Sequence, residues 1–89
     1  MILHIGAREM VFLKDIVAII RYEGLSQSKD GKSYLGELKA QNHLVDISGG
    51  RPSSLVVLKD GRCYLSAISA PTLLHRYEEG GLLDGDEQL

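Results

Sequence analysis

The chain of 89 residues has a single cysteine, no tryptophan, one phenylalanine and two prolines. One cysteine excludes an internal disulfide, and with three scattered histidines it offers no paired spacing for a structural zinc site. Cys63 sits in the apolar run Cys63-Tyr64-Leu65 and is read as a small buried hydrophobe rather than a catalytic thiol, which would want a nearby His and an electropositive setting. Hydrophobic runs reach only about five residues, against the ~20 that span a bilayer. No charged n-region precedes a long apolar segment. The expected location is therefore the cytoplasm, with no membrane partner.

Catalytic patterns are missing too. No serine lies in a Gly-x-Ser-x-Gly elbow. His4, His43 and His75 fall one to an element, without carboxylates at a characteristic spacing, and are read as surface or structural histidines. Gly49-Gly50 lacks both the Lys-Ser/Thr ending of a phosphate loop and the three-glycine spacing of a dinucleotide fold. The expectation is a non-enzyme with no cofactor and no metal. A chain this short buries only about 60–65% of its unfolded surface, so its core is thin. Without disulfides or a metal, self-association is the expected source of further stability.

What is present is an uneven charge distribution. The net charge is −2, but the last twelve residues carry five acids, Glu78, Glu79, Asp84, Asp86 and Glu87, and no base. Residues 1–77 hold ten Lys/Arg against seven Asp/Glu, a net +3. The reading is one domain over residues 1–78, followed by an acidic, disordered tail over 79–89. A mildly basic body suits an anionic partner.

Local patterns predict a small α+β domain: an antiparallel sheet of about five short strands with two short helices. Ile2, Ile5 and Met10–Leu13 read as two strands, with a bend or bulge at Gly6. The β-branched run Ile16–Glu23 reads as a third, Lys14-Asp15 forming a tight connection between antiparallel strands. Gly24–Ser33, with two Gly, three Ser and three charges, reads as a loop. Ser33 would cap a helix over 34–43. Val45–Ser48 alternates like a short strand, and Gly49–Ser54 is a loop. Leu55–Lys59, Asp60-Gly61 and Arg62–Ile68 form a hairpin signal, with Asp-Gly suited to a type I′ turn. Ser69 and Pro71 then start a short helix that Gly80-Gly81 stops.

Basic residues at loops are the candidate site. Arg51 follows two glycines and precedes Pro52, while Arg8 and Lys14 lie in the N-terminal connections. A guanidinium offers a planar fork for phosphate oxygens.

The order of motifs is specific: His4-Ile5-Gly6, Ile16-Val17-Ala18-Ile19, Gly49-Gly50-Arg51-Pro52, then Tyr64-Leu65-Ser66-Ala67-Ile68-Ser69-Ala70-Pro71 into a helix ending His75-Arg76. Over residues 1 to about 78 this resembles the RemA/RemB family of extracellular matrix regulatory proteins, and more closely the RemB (YaaB) branch. The resemblance implies a LytTR-like fold, a ring-shaped homo-oligomer, and a DNA-binding regulator of biofilm-matrix genes. It implies that Arg51 contacts double-stranded DNA. It also exposes two departures: Pro52 stands where the RemA branch has a second arginine, and Asp15, beside Lys14, where it has another. Lys14 and Arg8 would then have to compensate. The alternative is an oligomeric interaction protein with little or no DNA binding that modulates a paralogous regulator.

Overall fold

The computed structural model describes residues 1–80. Three layers build it, with a four-stranded sheet in the middle. Strands β1 (Ile2–Gly6) and β2 (Glu9–Phe12) form a separate antiparallel hairpin. A 3-10 turn over Leu13–Asp15 leads to β3 (Ile16–Arg21), followed by helices α1 (Tyr22–Gln27) and α2 (Lys29–Ala40). Strands β4 (Leu44–Asp46), β5 (Ser54–Leu58) and β6 (Cys63–Ser66) precede α3 (Ala70–Glu78). The central sheet has the order β3-β5-β6-β4.

Alternation of side chains along β5 explains why every residue there is apolar after Ser54. Val56 and Leu58 face a core with Leu3, Ile5, Val11, Tyr64 and Leu73, from the hairpin, β6 and α3. Leu55 and Val57 face the other core, with Leu38, Cys63 and Leu65, closed by Leu25, Tyr34 and Leu35 of α1 and α2. A strand covered on both faces reads as a continuous hydrophobic run. A bulge between Ile16 and Ala18 places Ile16 and Ile19, three residues apart, on the same face. Cys63 is fully buried, and burial pushes its thiol pKa up.

Several expectations need correction. Among the described residues there are six strands in two sheets and three α-helices, and the main sheet is mixed: β4 pairs with β6 in parallel. Gly24–Ser33 is mostly helical, not a loop. Ser28, not Ser33, is the N-cap of α2, its hydroxyl accepting from Gly31 N at 2.9 Å. That helix ends at Ala40, and Asn42 turns the chain with φ +59°. Composition suggested a loop, but Leu25, Tyr34, Leu35 and Leu38 find a partner surface on the sheet, and burial outweighs weak propensity. The Lys14-Asp15 connection does not join paired strands, because β2 and β3 belong to different sheets.

The turn at Asp60-Gly61 departs from the expected type I′ geometry. At Asp60-Gly61 only Gly61 has positive φ (+96°). Gly61 N donates to Leu58 O at 3.0 Å and Leu58 N to Arg62 O at 2.9 Å, as in a type I turn followed by a glycine bulge. The pair of positive φ values belongs instead to Ala7 (+50°) and Arg8 (+62°), between β1 and β2. By contrast, the Ser69 cap (accepting from Thr72 N, 3.3 Å) and Pro71 in the first turn of α3 stand as the sequence predicts. Residues 81–89 of the acidic tail lie outside the described residues.

Candidate nucleic-acid interface

The loop carrying Arg51 owes its shape to the parallel edge. Leaving β4, the chain must pass over the end of β6 to enter β5 on its far side, about 10 Å across two strand spacings. Both banks of this bridge are fastened to β6: Ile47 N donates to Leu65 O (3.0 Å) and Ser53 N to Ser66 O (2.7 Å). At its start, Ser48 donates both its N–H (2.8 Å) and its hydroxyl (2.5 Å) to Asp46 Oδ1. The Ser48 hydroxyl, then its N–H, and more weakly the Lys39 charge hold the Asp46 carboxyl below the ordinary carboxylate range. Gly49 (φ +68°) and Gly50 (+90°) make the reversal that L side chains resist, and Arg51 stands exposed beyond it.

Arg8 lies at the same end of the molecule. Ser66 Oγ donates to Ile5 O (2.6 Å), setting the tip of the β1–β2 hairpin beside the end of β6. An arginine at positive φ is uncommon and carries backbone strain of order 1 kcal/mol; the Arg8 side chain is exposed. Arg21, paired with Ser54 in the sheet, is the third cation here.

Lys14 is placed elsewhere. The pair Ile16↔Leu58 puts it at the opposite end of β5, at least ~14 Å from the Arg51 end by strand rise. It sits 5.8 Å from the Phe12 ring centroid. Its neighbours are neutralised: Lys59 pairs with Asp15 (3.3 Å) and Arg62 with Asp60 (2.8 Å). The structure therefore brings Arg51 and Arg8 to one end and separates Lys14 from them. Among the described residues, Arg8, Arg21, Lys32 and Arg51 form no ion pair.

Two grooves flank the Arg51 bridge. One, about 630 Å³, runs between α2 and β4 and is lined by Lys32, Lys39, Leu35, Leu44, Gly50 and Pro52 among others. The other, about 540 Å³, holds Arg21, Glu23, Ser53 and Ser69. Sequence reasoning missed Arg21, Lys32 and Lys39. Lys32 and Lys39 are seven apart and share a helix face only if the helix starts before residue 32, which reading 24–33 as a loop concealed.

His4, His43 and His75 are dispersed; His75 Nε2 meets Glu79 at 3.4 Å, and His43 packs near Gly61. Among the described residues no group of three His, Cys, Asp or Glu could hold a metal ion, and no helix is long and apolar enough to cross a membrane.

The RemA-like family, described as extracellular matrix regulatory protein A-like, matches residues 2–77. A protein of Leptospira biflexa serovar Patoc named "Putative regulatory protein" is 33% identical over 90 residues, covering 98% of this chain and 92% of that relative. Two proteins of the same name, from Dictyoglomus turgidum and Dictyoglomus thermophilum, are each 35% identical over 80 residues, covering 89% of both chains.

Proposed function

The chain belongs to the RemA-like family, and from that membership we propose that it is a DNA-binding regulator of biofilm-matrix genes, built on a LytTR-like fold. It acts as a ring-shaped homo-oligomer in the cytoplasm and grips the DNA backbone with loop arginines. The observation that carries this reading is Arg51: an exposed guanidinium without an ion-pair partner among the described residues, on a bridge fastened at both banks to β6. Phosphate contacts of this kind supply affinity and register rather than sequence information. Arg8 extends the same contact. Lys14, a strand's length away, reaches the same duplex across a groove about 12 Å wide.

A ring multiplies the effect. One Arg51 per subunit gives many weak contacts at high effective concentration. The surface offers apolar area for closure: Met10 (48% exposed) and Phe12 (54%) on β2, and Val17 (64%) on β3, an edge strand of the central sheet. Val17→Lys is expected to reduce the mass measured by light scattering toward that of the monomer with far-UV dichroism retained, because a charge on an edge strand blocks strand or face pairing. An unchanged mass would remove β3 from the interface.

The test of function is a duplex titration of wild type and Arg51→Ala at several salt concentrations. Losing one phosphate contact lowers the log–log salt slope by roughly 0.9, and by a multiple of that where one duplex lies on several subunits. A folded oligomer that ignores DNA would sink the reading. That outcome would favour an interaction protein modulating a paralogue, for which the Asp15–Lys59 pairing and Pro52 speak: both place neutral chemistry where the resemblance implies arginines.

A further inference from the structure

The groove between α2 and the Arg51 bridge has a construction that the loop arginines do not explain. Lys32 and Lys39 stand on one face of α2, about 10 Å apart along its axis at 1.5 Å per residue. Between them lies Gly36, where a Cβ would meet nothing within 4 Å, so the groove stays open toward Leu35, Leu44 and Leu65. The opposite wall is Gly50 and Pro52, the two neighbours of Arg51. Among the described residues one carboxylate lines the groove, Asp46; its Oδ1 is engaged by Ser48, and the Lys39 charge acts on it. The acids of α2, Asp30 and Glu37, do not line it. Lys32 has no ion-pair partner among the described residues, whereas the cations Lys59 and Arg62 at the far end of the sheet are each held by a carboxylate.

We propose that this groove is a second contact track for duplex DNA, in which Lys32 and Lys39 hold phosphates of one strand that continues past Arg51. The inference rests on the DNA-binding reading above and gives that contact a direction, along α2. Successive phosphates of one B-form strand lie roughly 6–7 Å apart through space, the ~3.4 Å rise being only the axial part, so lysines ~10 Å apart address phosphates one or two steps apart. The intervening deoxyriboses are the apolar part of the backbone, and Leu35 and Leu44 are what they would meet. Lysine contacts are charge-driven and tolerant of geometry, unlike the forked contact of Arg51.

The experiment is anisotropy titration of a 25-base-pair duplex with the full chain between about 50 and 300 mM salt, the range over which such contacts weaken steeply. The double variant Lys32→Gln/Lys39→Gln is expected to lower the salt slope by about 1.8 per bound subunit, and to weaken binding roughly thirtyfold at 0.15 M, taking the electrostatic contribution to vanish near 1 M. Glutamine matches lysine in helix propensity, so far-UV dichroism should be unchanged. Lys32→Arg/Lys39→Arg should restore the slope. Lys59→Gln removes a charge already committed to Asp15 and should leave the slope alone. A wild-type slope in the double glutamine variant, alongside a reduced one in Arg51→Ala, overturns the track and leaves the DNA-binding reading standing. Absence of duplex binding by the wild type overturns both.

Discussion

Gly31→Ala is expected to lower the melting temperature by roughly 15 °C, which is about 3 kcal/mol for a domain of this size. Gly31 is buried inside α2, where helix propensity alone would favour alanine by about 1 kcal/mol. Packing reverses that sign. A Cβ at this position would stand 2.1 Å from Leu25 O and 2.6 Å from Ser28 Oγ. The first atom is backbone of α1, and the second is the cap that accepts the Gly31 N–H. Neither can yield without separating the two helices or breaking the cap. Overpacking costs about 1–3 kcal/mol, and loss of a serine N-cap adds about 1. The variant should also weaken the α2 track, since the helix start positions Lys32. Thermal melts followed by far-UV dichroism decide it: a melting temperature equal to or above wild type would show that α1 and α2 do not meet at this distance.

Ser66→Ala should be nearly as damaging, although it removes one oxygen atom. Its hydroxyl donates to Ile5 O at 2.6 Å and accepts from Ile68 N at 3.0 Å, in a fully buried position. Ile5 lies at the bulge between His4 and Gly6 and has no partner in the register of β1 with β2, so Ser66 takes up its carbonyl. Alanine would leave a buried acceptor and a buried donor unpaired, at about 1–3 kcal/mol each. A total near 3 kcal/mol corresponds to a urea midpoint about 2 M lower with the slope unchanged. This bond joins the β1–β2 hairpin to the central sheet and so holds Arg8 at the Arg51 end. A midpoint within about 0.3 M of wild type would mean that the bond contributes little.

Ser66 also illustrates how much the sequence discloses. Leu65-Ser66-Ala67 stands out as a motif in the one-dimensional reading, yet nothing local says why a serine belongs in a strand of four buried residues. The reason is a carbonyl 61 residues away. The Arg51 loop was legible as a loop because Gly49, Gly50 and Pro52 are governed by backbone sterics that act within a residue or two. Its function as a bridge over β6 was not, since the strand it crosses follows it in the chain. Likewise the Asp60-Gly61 hairpin was legible in place but not in turn type, and Ala7-Arg8 carried no turn signal at all. Their positive φ values are imposed by how β1 and β2 pair and pack.

The sequence by itself determined what depends on neighbours along the chain. It placed the apolar β-branched strands, the Gly49-Gly50-Arg51-Pro52 loop, the Ser69 cap with Pro71, the burial of Cys63 in its hydrophobic run, and the motif order that marks the family. Only the tertiary structure decided what depends on distant partners. It made residues 24–33 helical, because α1 and α2 bury leucines on the sheet. It set β4 parallel to β6. And it sorted the cations: Lys59 and Arg62 are paired with Asp15 and Asp60, while among the described residues Arg51, Arg8, Lys32 and Lys14 form no ion pair. Coulombic pairing acts over a few ångströms in space, and spacing along the sequence does not fix which charges come within that range.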